Sequence, residues 1–125
     1  MNAFNMAQTA YSSAAIPIRT HQSTEFDAFA KITHRMSAAS AKGAAGYAAL
    51  VAALYENRKL WVLLAGDVAD GDNALPQQLR AQIFYLAEFT LQHSSKVLDG
   101  SADVQVLLDI NTAVMRGLRQ QEIAT

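Results

Sequence analysis

The sequence predicts an all-α fold, a small up-and-down bundle of about five helices with a loosely attached N-terminal segment. No segment alternates apolar and polar residues with a period of two, which is the pattern of a half-buried strand. Several long segments instead place apolar residues three and four positions apart, as helices with one buried face do. Short connections between the last three long segments favour antiparallel neighbours.

The N-terminal segment is predicted to hold a short helix over roughly residues 3–11, followed by a linker or arm over 12–23 that Pro17 interrupts. Short helices bear the full nucleation cost, so this helix should be marginal alone. Its apolar side carries Phe4, Ala7 and Tyr11. The chain, 1–125, is thus predicted to be one domain with an arm at 1–23, a bundle at 24–120 and a frayed tail at 121–125.

The second predicted helix has a clear start signal. Thr24 and Asp27 resemble a capping box, and an acid there suits the positive end of the helix dipole. An apolar stripe follows, formed by Phe26, Phe29, Thr33 and Met36. Gly43 and Gly46 favour a turn to the next helix in that stretch.

The third predicted helix covers about 44–70 and is apolar around more than half of its circumference, as expected at the centre of a bundle. Gly71 is predicted to be its left-handed stop. Asn57 and Arg58 interrupt the same broad apolar face, one turn before the only tryptophan, Trp61. An amide and a permanent positive charge on a core-facing surface need a structural or functional reason.

The last two predicted helices run antiparallel to each other. The fourth opens near Pro76, a residue suited to the first helical turn, and continues to Asp99, with Gly100 as its stop. The fifth is predicted to begin with Ser101 as its cap. Its apolar stripe is interrupted by Asn111.

The composition favours some classes of function and excludes others. Apolar residues make up 51% and charged residues 17%, below the typical ~25%, which mildly favours a protein that exposes apolar surface to a partner. The net charge of −1 combines a more basic first half with a more acidic second half, which is too weak an asymmetry for a phosphate-binding signature. The absence of cysteine excludes disulfides, a thiolate nucleophile and cysteine-ligated zinc.

Targeting signals are equally sparse. The first residues lack both a basic start and a continuous apolar run, so they do not resemble a secretory signal. The longest apolar run, 48–55, is far shorter than the ~20 residues that cross a bilayer. The sequence therefore predicts a soluble, cytoplasmic protein without membrane contact.

No constellation of catalytic or metal-binding residues is found. The acidic cluster from Asp67 to Asn73 fails the ligand spacing of a calcium loop in either register and is interpreted as a solvated loop. His93 lies on an apolar stripe without a second ligand three or four residues away, so we expect a core or boundary histidine. Phosphate loops, dinucleotide fingerprints and nucleophile elbows are missing. The sequence predicts neither an enzyme nor a cofactor.

The fourth predicted helix has a second apolar stripe, formed by Phe84, Leu91 and Leu98 at a spacing of seven. One interpretation is that this helix lies between two others and buries both stripes. The other is that the second stripe is a groove for an amphipathic helix of a partner. The sequence leaves both open.

Three stretches identify the chain as resembling the FlaF family of flagellin-biosynthesis regulators from alphaproteobacteria. The first is Arg19 with "EFDAFAKIT" (25–33), the second "ALYENRKLWVLLAGDVAD" (53–70) and the third "NALPQQLRAQI" (73–83). The spacing of "NRKLW" to "LPQQLRA" is fairly specific, because neither is a generic helix pattern. The resemblance spans nearly the whole chain and loosens before Ala10 and after Gly100.

The resemblance implies a helical, non-enzymatic protein needed for flagellin production and export. It implies binding of flagellin as a dedicated chaperone, in a circuit with the translational regulator FlbT. The amphipathic terminal helices of flagellin would suit a groove. Candidate protein-binding residues are Phe84, Leu91, Leu98, Arg58 and Trp61. Residues expected to serve the structural motif are Asn57, Asp67, Leu75, Pro76, Leu79 and Arg80.

Two questions stay open at the level of sequence. Asn57 and Arg58 either serve helix ends and backbone carbonyls inside the bundle, the favoured interpretation, or border a flagellin groove anchored by Trp61. The alternative function is a post-transcriptional regulator that acts on flagellin messenger RNA directly or through FlbT. Direct RNA binding would need a basic face with stacking aromatics, for which only Arg58 and Lys59 near Trp61 are a hint.

Overall fold

The computed structural model describes residues 21–123, with side chains from Phe26 to Gly117. The predicted helix over 3–11 lies outside the described residues. Within them the chain forms four α-helices and one short 3₁₀ turn and contains no strand. These elements are α1 (His21–Ala41), the 3₁₀ turn (Gly43–Gly46), α2 (Tyr47–Ala69), α3 (Gln77–Leu98) and α4 (Gln105–Ile123). The predicted all-α helical bundle is confirmed.

The helices form an up-and-down bundle in which α1 packs against α2 and α4, and α3 packs against α2 and α4. Two core clusters show the antiparallel order. One joins the start of α1 to the end of α2, the start of α3 and the later part of α4, through Phe29, Trp61, Leu64, Val68, Leu75, Ile83, Ala87 and Val114. The other joins the opposite ends, through Ile32, Met36, Ala53, Leu54, Val97, Val104 and Leu107.

Several boundaries differ from those predicted. Helix α1 begins at His21, so the Thr24 capping box lies inside the helix rather than at its start. Gly71 is not the left-handed stop of α2, because the chain turns extended at Asp70 with φ −69° and ψ 128°. Helix α4 reaches Ile123 and so enters the stretch predicted to be a frayed tail.

Ser101, the predicted N-cap of the last helix, does not cap α4. Ser101 belongs to the turn that leaves α3, where its backbone N–H donates to Asp99 Oδ1 at 2.9 Å and its hydroxyl to the carbonyl of Lys96 at 3.3 Å. Hydrogen bonding by the Ser101 side chain and backbone lowers the pKa of Asp99. Asp103 serves α4 instead, since its Oδ1 accepts the N–H of Gln105 at 2.9 Å. The predicted stop at Gly100 is confirmed by its φ of 82°.

The turn between α1 and α2 depends on two glycines for different reasons. Gly43 has φ 59°, a left-handed conformation that glycine adopts without strain. Gly46 is buried, and a Cβ there would collide with the carbonyl oxygen of Ala39 and lie 2.9 Å from Lys42 Cβ. The turn therefore approaches the end of α1 so closely that only glycine, which has no Cβ, fits at position 46.

Two glycine substitutions should have opposite effects on stability. Gly46→Ala should lower the free energy of unfolding by about 1–3 kcal/mol, because the added methyl group overpacks the turn. Gly66→Ala should raise it by about 0.5–1 kcal/mol, because Gly66 lies within α2 with open space around it. Urea denaturation of both variants beside the parent checks the pair. Equal tolerance of both changes would contradict the close packing of this turn.

Candidate protein-binding groove

An apolar groove with a volume of about 680 Å³ lies between α2 and α3. Helix α2 contributes most of its lining because residues four and three positions apart, 51, 55, 58 and 62, share one side of a helix. Helix α3 contributes two leucines seven residues apart. The complete lining is Val51, Tyr55, Arg58, Lys59, Val62, Leu63, Leu91 and Leu98.

The α2 wall of the groove is unusually exposed for apolar side chains. Tyr55 is 61% exposed, Val62 53% and Leu63 67%. The wall from Val51 to Leu63 spans 12 residue steps, which is about 18 Å of helix. The groove can therefore accept three turns of a partner helix along its length. Contiguous exposed apolar surface of this kind is typical of a protein-interaction site.

The charged groups of the groove are both basic. Arg58 is half-buried, and Lys59 is exposed with its Nζ 5.4 Å from the centre of the Tyr55 ring. A cation over an aromatic ring at an exposed site contributes about 0.5–1 kcal/mol. The lining contains no carboxylate among the described residues. An occupant with an apolar ridge and an adjacent acidic residue would match both properties of this surface.

The structure brings together candidate residues that the sequence assigned to two separate surfaces. Leu91 and Leu98 of the α3 stripe are half-buried and form the wall opposite Arg58. Phe84, the third member of the stripe, is 41% exposed and is not part of the lining. Helix α3 does lie between α2 and α4, yet the stripe is not fully buried there. Among the α2 lining residues only Arg58 was a predicted protein-binding residue; Val51, Tyr55, Val62 and Leu63 were missed, and Lys59 was considered only for RNA binding.

Trp61 lies in the core and does not line the groove. Its side chain is 0% exposed, and its ring meets Phe29 edge-to-face with centroids 5.4 Å apart. A partner could contact this indole only if the bundle opened. The position of Trp61 therefore favours the structural interpretation, whereas Arg58, its neighbour in the sequence motif, lines the groove.

A buried polar network explains why Asn57 interrupts an apolar face. Asn57 and Asn111 are both 0% exposed, and Asn111 Nδ2 donates to Asn57 Oδ1 at 2.8 Å and to Thr33 Oγ1 at 3.1 Å. The indole Nε1 of Trp61 donates to Asn111 Oδ1 at 2.9 Å. The partner of Asn57 is thus a side-chain amide on α4 rather than a backbone carbonyl. The two interrupted stripes face each other.

Replacing Asn111 with leucine should destabilise the protein more than the same change at Asn57. Asn111→Leu leaves the Trp61 N–H and the Asn57 carbonyl buried without their partner, which should cost about 2–3 kcal/mol. Asn57→Leu keeps the Trp61–Asn111 and Asn111–Thr33 bonds and removes an Nδ2 that has no partner among the described residues, but it leaves one N–H of Asn111 without its acceptor, so it should cost only about 1 kcal/mol. Chemical denaturation measures both. Equal losses would contradict a network centred on Asn111.

The third stretch of the resemblance, 73–83, closes the connection from α2 to α3. Arg80 reaches from the start of α3 back to the end of α2, where its Nη1 donates to the carbonyls of Asp70 at 3.1 Å and Val68 at 3.5 Å. Asn73 Nδ2 donates to the carbonyl of Asp67 at 3.0 Å, and Asn73 Oδ1 accepts the N–H of Leu75 at 2.9 Å. These bonds satisfy carbonyls at the helix end that have no partner within the helix.

Other expected structural residues lie at the same connection. Leu75 is buried in the core, Pro76 immediately precedes the first residue of α3, and Leu79 is half-buried against the same core cluster. Asp70 Oδ1 accepts the N–H of Asp72 at 2.9 Å. The acidic loop is thus held by local hydrogen bonds. Across the described residues no group of three histidine or acidic side chains could hold a metal ion.

His93 sits at the boundary of the bundle. Its Nε2 lies 3.0 Å from the carbonyl oxygen of Asp103, and its ring stacks on Phe89 with centroids 5.3 Å apart. This contact joins the last third of α3 to the connection before α4. The ring is half-buried, so His93 is the boundary histidine that its stripe predicts.

A comparison with models of protein families shows to which family the chain belongs. A family model described as flagellar protein FlaF matches residues 7–118. The chain belongs to the FlaF family. No curated protein and no solved structure gives a match. The match covers the groove, the buried network and the α2–α3 connection, so all three lie within the FlaF domain.

No helix within residues 21–123 combines the length and the apolar character that a membrane crossing requires. This FlaF chain is thus a flagellar protein with an all-helical fold and an apolar groove on one side of it.

Proposed function

We propose that this FlaF-family protein binds flagellin in the α2–α3 groove, acting as a non-enzymatic cytoplasmic export chaperone. By holding flagellin before assembly, it would regulate flagellin synthesis and the growth of the filament. The observation that carries the proposal is the apolar groove itself, about 680 Å³ in volume and bordered by Arg58 and Lys59. An amphipathic helix from a flagellin terminus would lay its apolar ridge between Leu63 and Leu91.

The size and chemistry of the groove support a helical client. A volume of about 680 Å³ lies within the usual range of ~300–1,000 Å³ for binding pockets, but the site is open along its length rather than enclosed. Exposed leucine and valine side chains give up ordered water when a helix covers them, which provides the driving force for binding. The two basic residues would fix the orientation of the client and raise its association rate more than its affinity.

The alternative, direct action on flagellin messenger RNA, has weaker support. RNA-binding surfaces combine several phosphate contacts with exposed aromatic rings on which bases stack. Trp61 is buried and cannot offer its ring, which leaves Tyr55 with Arg58 and Lys59 as the only such combination at the groove. An indirect effect on translation, through FlbT, is compatible with flagellin binding and belongs to the same proposal.

Two binding assays on the purified full chain separate these functions. Monomeric flagellin should form a complex that is detected by size-exclusion chromatography and titration calorimetry. Flagellin messenger RNA should give no shift at the same protein concentrations. Flagellin that elutes separately from the protein would contradict the chaperone proposal. A salt-dependent RNA shift in the absence of flagellin would support the regulator instead.

A further inference from the structure

A second, smaller apolar depression lies between α3 and α4. Its volume is about 220 Å³, and its lining is Leu75, Leu79, Gln82, Ile83, Leu86, Ala113, Val114 and Gly117. Gln82 supplies the only polar side chain of this lining. A space of this size would hold several waters at ~30 Å³ each, but ordered water needs two to four polar partners. The depression is therefore suited to apolar side chains.

The depression lies at the end of the bundle where α1 begins. Leu75, Ile83 and Val114 line it, and the same three residues share a core cluster with Phe29, in the third turn of α1. Helix α4 forms one wall of the depression and also packs against α1. A chain segment that precedes α1 therefore needs to cross only one helix, about 10 Å wide, to reach it.

Residues 1–20 precede α1 and lie outside the described part of the chain. Twenty residues can span up to ~66 Å when extended, so reach is not limiting. The segment is apolar on the predicted face of Phe4, Ala7 and Tyr11, and it carries no charged side chain before Arg19. The family match begins at residue 7, so most of this segment belongs to the domain that defines the family.

We propose that the segment 1–20 docks on its own bundle, with the Phe4, Ala7 and Tyr11 face in the α3–α4 depression. The chemistry distinguishes this depression from the larger groove. The lining of the depression has no charged side chain, and the segment has none to pair before Arg19. The α2–α3 groove would instead place this face, which has no acidic side chain to offer, against Arg58 and Lys59. The segment thus completes the bundle and leaves the α2–α3 groove open.

Cysteine pairs can test this docking, because the chain has no cysteine of its own. Ala7→Cys is combined in the full chain with Gln82→Cys or with Ala113→Cys, two exposed positions on the α3 and α4 sides of the depression. The matched control combines Ala7→Cys with Val62→Cys, an exposed position on the α2–α3 groove. Each variant is oxidised mildly at low concentration, and disulfides are located by peptide mass mapping.

A disulfide forms only when the two Cα atoms come within about 7 Å, so its yield reports proximity. We expect an intramolecular disulfide in at least one of the two depression pairs, with a yield several-fold above that of the Val62 pair. Yields no higher than that of the control would overturn the proposal. A dominant Val62 disulfide would place the segment in the client groove, and disulfides between chains would assign it to a second copy. Either result also overturns the proposal.

Discussion

Replacing Trp61 with alanine should lower the free energy of unfolding by about 3–5 kcal/mol. The side chain is 0% exposed, so its removal leaves a cavity at the junction of α1, α2 and α4. The change also removes the edge-to-face contact with Phe29 and the donor to Asn111 Oδ1. A bundle of this length has a total stability of only about 5–15 kcal/mol, so a loss of this size should be evident in a denaturation curve.

The same variant distinguishes a core residue from a binding residue. If Trp61 acts only in the core, Trp61→Ala should weaken flagellin binding in proportion to the unfolded fraction and no further. Tyr85→Ala serves as a control, since Tyr85 is 67% exposed and its truncation should change stability by less than about 0.5 kcal/mol. A well-folded Trp61→Ala protein that fails to bind flagellin would show that Trp61 takes part in binding directly.

The architecture could be predicted from the sequence because long apolar stripes and glycines at the connections determine helices and turns through local interactions. Gly100 stops α3 and Pro76 precedes it, as the residue types predict. The start of α4 could not be predicted in the same way. Ser101 and Asp103 can both cap a helix, and the local sequence does not show which of the two does so. Ser101 is engaged by the preceding helix end, through the carbonyl of Lys96, which leaves the Asp103 side chain to accept the first N–H of α4, that of Gln105.

The buried amides were visible in the sequence as two separate anomalies. Asn57 interrupts one apolar face and Asn111 interrupts another, and each alone suggested a local exception. Their pairing depends on the register of α2 against α4, which a helical wheel does not contain. Two polar residues on two otherwise apolar stripes are nevertheless a usable signal, because a buried amide requires a partner and another buried amide can supply one.

Of the two walls of the groove, the sequence predicted only the one on α3. The spacing of Leu91 and Leu98 revealed an apolar stripe on α3 away from its main core face. The matching wall on α2 was hidden, since α2 is apolar around most of its circumference and periodicity does not separate its buried side from its exposed side. Burial does separate them, with Trp61 and Leu64 inside and Val62 and Leu63 outside.

Leu63→Asp should weaken flagellin binding at least about 30-fold while leaving the bundle folded. Leu63 is 67% exposed and lines the α2–α3 groove, so a carboxylate there stays hydrated in the free protein. In a complex it would be desolvated beneath the apolar ridge of the client, and an ion pair with Lys59, one turn away in the same lining, would not restore the apolar contact that Leu63 provides. Hot-spot substitutions cost at least ~2 kcal/mol, so we expect the dissociation constant to rise by a factor of about 30 or more.

Tyr85→Asp is the matched control for this variant, because Tyr85 is also 67% exposed but does not line the groove. Both variants should melt within a few degrees of the parent, and only Leu63→Asp should lose flagellin in titration calorimetry. Leu91→Asp should lose both binding and some stability, because Leu91 is half-buried. If Leu63→Asp bound flagellin normally and Tyr85→Asp did not, the client surface would lie on the outer face of α3 rather than in the groove.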